Sequence, residues 1–94
     1  MTSSRDGFEI FKNWQKQKTT LCVRSDEFDD SDGKITGPIV ELSYKSTLEP
    51  FVRLEAADGF VKIELTDARF RRTRNPISLE VSLQDGRTFV FSMA

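Results

Sequence analysis

The sequence predicts an α+β fold, mostly β: an N-terminal amphipathic helix packed on an antiparallel meander of five or six strands, curled into a half-open small barrel. Three observations lead there. Val52–Ala57, Val61–Leu65 and Ile77–Met93 alternate apolar and polar residues, the period-two pattern of strands with one face on a core. Asp58-Gly59 and Asp85-Gly86 interrupt that alternation where hairpin turns belong. Asp6–Lys18 spaces its apolar residues at helical intervals instead. The 94 residues suit one domain, with 1–5 as a flexible start, 6–18 as helix and 19–94 as the β meander. A chain of this size buries roughly 65% of its unfolded surface, enough for one core.

Composition narrows the chemistry. Net charge is −1, so affinity for nucleic acid or anionic membrane must come from a local patch. The chain has no histidine and therefore lacks the commonest general base near neutral pH. A single cysteine, Cys22, excludes an internal disulfide and fits a reducing compartment. No apolar run reaches membrane-spanning length, and Met1–Arg5 has no signal-peptide core. The expectation is a soluble cytoplasmic protein that needs no cofactor or metal.

The elements follow in order. Asp6 as N-cap with Glu9 three residues on forms a capping-box variant. Phe8, Ile10, Phe11 and Trp14 then cover one side of the helix, with Glu9, Lys12, Asn13 and Lys16 on the other. A lone stripe of this kind beside strands covers a sheet face or caps a barrel. Thr19–Phe28 reads as the first strand. Asp26–Gly33 carries five carboxylates, on Asp26, Glu27, Asp29, Asp30 and Asp32. Its spacing rejects a calcium loop, because positions one and twelve would fall on Phe28 and Ile39. Lys34–Tyr44 is the second strand, and Gly37-Pro38 places a bulge or a sheet edge there, since proline cannot donate to a ladder.

Two hairpins follow. An Asp58-Gly59 turn pairs Ala56 with Val61, Leu54 with Ile63 and Val52 with Leu65, and sets Glu55 beside Lys62 and Arg53 beside Glu64 on the outer face. In the last hairpin a three-residue loop, Gln84-Asp85-Gly86, pairs Val81 with Phe89, Leu79 with Phe91 and Ile77 with Met93. A two-residue turn would instead set the phenylalanines beside Ser82 and Glu80. Each aromatic side chain buried contributes on the order of 2 kcal/mol, which selects the longer loop with Gly86 left-handed. Between the hairpins the alternation breaks at Thr66–Asp67, through a bulge or through the end of the strand in a short helical turn.

Candidate sites are few. Arg69, Arg71, Arg72 and Arg74 surround Phe70 and could grip phosphates. They could equally keep a sheet edge soluble, pair with the acidic run at 26–32, or meet an acidic protein. Cys22 has Arg24 on its strand face but no activating base, so a packed, inert cysteine is expected. Neither the fifteen carboxylates nor Ser43 with Lys45 compose a catalytic signature. Tyr44, Phe51, Phe60 and Val90 have parities facing away from the core and offer a patch for a partner. An edge strand bent at Pro38 could accept an added strand.

Ile63-Glu64-Leu65-Thr66-Asp67, Arg71-Arg72, then Ile77-Ser78-Leu79-Glu80-Val81 and Asp85-Gly86-Arg87-Thr88-Phe89 resemble the closing strands of pleckstrin-homology-like domains, most of all the variant that precedes BEACH domains. The likeness covers about a third of the chain. A helix before short strands looks equally like an Sm-type small barrel. The first resemblance implies a protein-interaction or lipid-headgroup module. The expected function is a non-catalytic interaction module for a protein partner or a second copy, through the aromatic face or an edge strand. The alternative is a small barrel that contacts nucleic acid or phosphorylated headgroups through the arginines.

Overall fold

A computed structural model describes residues 4–25, 33–43, 50–57, 59–73 and 78–94. One helix, α1 (Ser4–Lys16), precedes seven antiparallel strands: β1 (Thr20–Arg24), β2 (Lys34–Ser43), β3 (Phe51–Ala56), β4 (Gly59–Glu64), β5 (Arg69–Thr73), β6 (Ser78–Ser82) and β7 (Thr88–Met93). They form one open sheet in the order β4-β3-β2-β1-β7-β6-β5. It consists of two meanders, β1–β4 and β5–β7, joined where β1 pairs with β7. The α+β, mostly β architecture stands, with one strand more than the sequence predicts.

Helix α1 starts two residues before the predicted cap, so Asp6 lies in its first turn, where a carboxylate complements the helix dipole. Its end is a Schellman arrangement. Thr19 N–H donates to the Trp14 carbonyl at 3.0 Å and Lys18 N–H to the Gln15 carbonyl at 3.1 Å. Lys18 occupies the left-handed position this requires, at φ 54°. The predicted apolar stripe turns inward: Phe11 and Trp14 are buried, and Phe8 and Ile10 pack beside them. The Phe11 ring lies 4.8 Å from Phe91 and 6.2 Å from Phe70, both edge-on. The helix thus packs on the core side of the sheet, against β2 and β5.

Of the bulge or sheet edge expected at Gly37-Pro38, the edge is overturned and an irregularity of the bulge kind lies just beyond it. β2 is an interior strand, and the ladder irregularity falls between Ile39 and Glu41. Lys34–Pro38 pair with β1, whereas β3 pairs from Ile39 onward. Pro38 therefore sits where the chain leaves one ladder and joins the next, so its missing N–H is tolerated away from any edge. Gly37 is what lets the two ladders meet. A Cβ there would collide with the Glu55 carbonyl oxygen and lie 2.7 Å from its carbon, inside van der Waals contact.

Strand parity behaves as predicted. Leu54 and Ile63 share the core face, as do Leu79 and Phe91. The last hairpin has the predicted register, Val81 opposite Phe89 and Leu79 opposite Phe91. Leu83 and Arg87 close the loop, with Gly86 at φ 98°. Ile77, expected opposite Met93, lies outside the described residues.

The β3–β4 hairpin is slipped by two residues. Leu54 faces Val61, Val52 faces Ile63 and Ala56 faces Gly59, so the register differs from the one an Asp58-Gly59 turn sets. A slip of two preserves every face. It also lets Leu65 N–H donate to the Pro50 carbonyl at 2.8 Å beyond the strand end. The predicted charge pairs are lost: Arg53 faces Lys62, and Glu55 faces Phe60.

The break at Thr66–Asp67 is a turn. Ala68 N–H donates to the Leu65 carbonyl at 3.1 Å, with Asp67 at φ 55°. The additional strand, β5, starts immediately after. Ala68 and Phe70 took the other parity in the sequence because a turn, and not a bulge, separates β4 from β5. Among the described residues no polar side-chain atom is buried without a partner. No helix among them is long and apolar enough to cross a membrane.

Candidate interaction surface

An open sheet has two edges, and here they are β4 and β5. The edge expected at Pro38 does not exist. The hydrogen bond from Leu65 to Pro50 fixes which backbone groups of β4 are free. In an antiparallel ladder, directly opposed residues alternate between exchanging both bonds and exchanging none. Leu65 and Pro50 are a bonding pair, so Ile63–Val52 and Val61–Leu54 are also bonding pairs. The N–H and C=O groups of Phe60, Lys62 and Glu64 therefore point to the open side. Among the described residues no strand pairs with them.

The side chains of these three residues stand on the outer face. Phe60 is 67% exposed, a large apolar group on an edge strand. Phe51, predicted to face outward, is half-buried because cations cover it. Lys62 Nζ lies 4.6 Å from its ring centroid and the Arg53 guanidinium carbon 5.8 Å. Arg53 turns to β2 and pairs with Glu41 at 3.0 Å. That contact relieves the like-charge opposition between Arg53 and Lys62. Val90 is outward and half-buried, as expected of its parity. Tyr44 lies outside the described residues.

Beyond the end of β4 the outer face opens into a cleft of about 310 Å³, lined by Glu64, Thr66, Leu83, Gln84, Asp85 and Arg87. One wall is the β6–β7 loop, which is tied to itself. The Arg87 N–H donates to Asp85 Oδ1 at 3.1 Å and its Nε to Oδ2 at 2.7 Å. The backbone N–H of Arg87, more than its guanidinium, holds the Asp85 carboxyl below its ordinary range. A second opening of about 390 Å³ continues past Leu83 and Gln84 to Asp67, Arg69 and Ser82.

The structure separates the arginines. Arg69 and Arg71 alternate with buried Phe70, so both stand on the outer face of β5, opposite Ser82 and Glu80. Arg72 has the parity of Phe70 and emerges on the other side. Arg74 lies outside the described residues, as does the acidic run 26–32 that could have met the cluster. Among the described residues neither Arg69 nor Arg71 has a carboxylate within 4 Å. Cys22 is not packed in the core. It lies on the outer face between Thr36 and Ser92, half-buried. Among the described residues no cluster of acidic or cysteine side chains is placed to hold a metal.

Sequence reasoning found Phe60 but missed Lys62, Glu64 and the cleft, because it placed the edge elsewhere. The available signal was that Phe60, Lys62 and Glu64 alternate on one outer face. No protein-family model matches this chain, and neither a curated protein nor a solved structure matches it.

Proposed function

We propose that the protein is a non-catalytic interaction module, working inside the cell, whose edge strand β4 accepts an added strand from a partner. One observation carries this reading: an exposed phenylalanine stands on a strand whose alternate backbone groups, at Phe60, Lys62 and Glu64, face outward with no strand among the described residues to pair them. An added strand would satisfy those groups and cover Phe60, and the outer side chains would select its sequence. The resemblance of the closing strands to pleckstrin-homology-like domains fits this class of role.

Selection of extended peptides from a displayed random library tests it. Binders should slow hydrogen exchange at the amides of Phe60, Lys62 and Glu64, and should be lost with Phe60→Asp. Binders that leave those amides exchanging freely would refute the reading. A second reading is supported by Arg69 and Arg71, which share one face without carboxylate partners among the described residues: contact with nucleic acid or a phosphorylated headgroup. Its mark is affinity for single-stranded RNA or phosphoinositide vesicles that falls steeply with salt and with Arg69→Ala/Arg71→Ala.

A further inference from the structure

The β4 edge is complementary to itself. We propose that its occupant is β4 of a second copy, paired antiparallel about a two-fold axis at Ile63, with each Lys62 opposite the partner copy's Glu64. The inference rests on the edge-strand reading above and names the partner.

Only residues whose backbone groups face outward can form the bonding pairs across such an axis, which restricts the register to steps of two. An axis at Lys62 sets the two Lys62 side chains against each other, like charges directly opposed. An axis at Val61 sets Lys62 against Phe60 of the other copy and forms no pair of opposite charge. The axis at Ile63 gives two Lys62–Glu64 pairs of opposite sign, related by symmetry, with four backbone hydrogen bonds between them.

The same register decides where Phe60 goes. Carried past the end of β4, it brings Phe60 to the turn that holds Thr66 of the second copy, a lip of the 310 Å³ cleft walled by Leu83 and Gln84. Glu64 and Thr66 line that cleft, and Glu64 and Phe60 share the outer face of β4, so the opening lies on the side to which Phe60 projects. The contact is isologous: each copy offers one aromatic knob and one hole. Three features are used together: the outward backbone groups, the exposed aromatic ring and the cleft.

Charge exchange tests the register. Sedimentation equilibrium of the full chain should show a concentration-dependent dimer, and hydrogen exchange at Lys62 and Glu64 should slow as concentration rises. Lys62→Glu and Glu64→Lys should each weaken self-association by about tenfold or more, because both pairs become repulsive. Mixing the two variants should restore a heterodimer, since every pair is then opposite in sign, and the double variant K62E/E64K should dimerise alone. Phe60→Asp, which leaves the charges in place, should also weaken the dimer. A wild-type protein that stays monomeric throughout would overturn the proposal. So would a dimer insensitive to Lys62→Glu, or single variants that do not complement each other while each remains folded by circular dichroism. A monomer that still binds selected peptides along β4 removes the second copy and leaves the edge-strand reading standing. A protein with neither behaviour removes both.

Discussion

Substituting Gly37 by alanine tests the account of how the two ladders meet, because two physical effects predict opposite signs. Gly37 has no left-handed backbone angle. On chain entropy alone, alanine should therefore stabilise the protein by about 0.4–1 kcal/mol, by restricting the unfolded state. The tertiary contact predicts the reverse. The new methyl carbon would collide with the Glu55 carbonyl oxygen and stand 2.7 Å from its carbon, against an ordinary contact of about 3.5 Å or more. Strand β3 must then retreat by more than about 1 Å, or β2 must shift away from it. Either movement stretches the nearest ladder hydrogen bonds past about 3.2 Å, where they weaken. Overpacking costs about 1–3 kcal/mol, and each ladder bond lost about 1 kcal/mol. The expected net loss is about 3 kcal/mol. For a domain of this size that lowers Tm by roughly 12–24 °C. Urea denaturation followed by circular dichroism measures it, with Thr36→Ala, on an exposed neighbour in the same strand, as the control. A Gly37→Ala protein as stable as wild type would refute the contact.

Other outcomes follow from the same contacts. Lys18 holds the left-handed position at the end of α1, and Lys18→Gly should stabilise the protein by about 1 kcal/mol in the same denaturation assay; a loss of stability would contradict the cap. Phe91 is fully buried against Phe11, so Phe91→Ala should cost about 3–5 kcal/mol and bring the midpoint close to unfolding at ambient temperature. The Asp85 carboxyl titrates below its ordinary value of 3.8 because the Arg87 N–H and guanidinium favour its charged form. Its folded pKa is depressed, so the contribution to loop order is present above pH 3.8 and is lost as pH falls through the lower folded value. A carbon-detected NMR titration of Asp85, with the Arg87 amide shift moving in step, should show that midpoint; one at or above the ordinary value would remove the loop contact.

Much of this architecture was legible in the order of residues, and the failures have identifiable causes. Side-chain parity is a local property of an extended chain, so alternation revealed that Leu54 and Ile63, and Leu79 and Phe91, share a wall. The last hairpin was readable to the residue because its two candidate loops place the phenylalanines on opposite faces, and burial chooses between them. The β3–β4 hairpin was not. Its alternative turns differ by a register step of two, every face is kept, and burial has no preference. The decision came from beyond the hairpin, where Leu65 finds the Pro50 carbonyl.

The candidate surface divides along the same line. That Phe60 faces outward is determined by parity and needed only the chain. Whether its strand is an edge depends on which strands lie beside it, and that is decided by the β1–β7 pairing between segments about 70 residues apart. Proline 38 illustrates the difference. Its missing N–H is a local fact that permits an edge or a bulge, and only the strands paired on both sides of β2 exclude the edge. Sequence alone determined what each strand shows to its two faces; the tertiary structure decided which strand is left unpaired, because strand order is fixed by long-range contacts that no local pattern encodes.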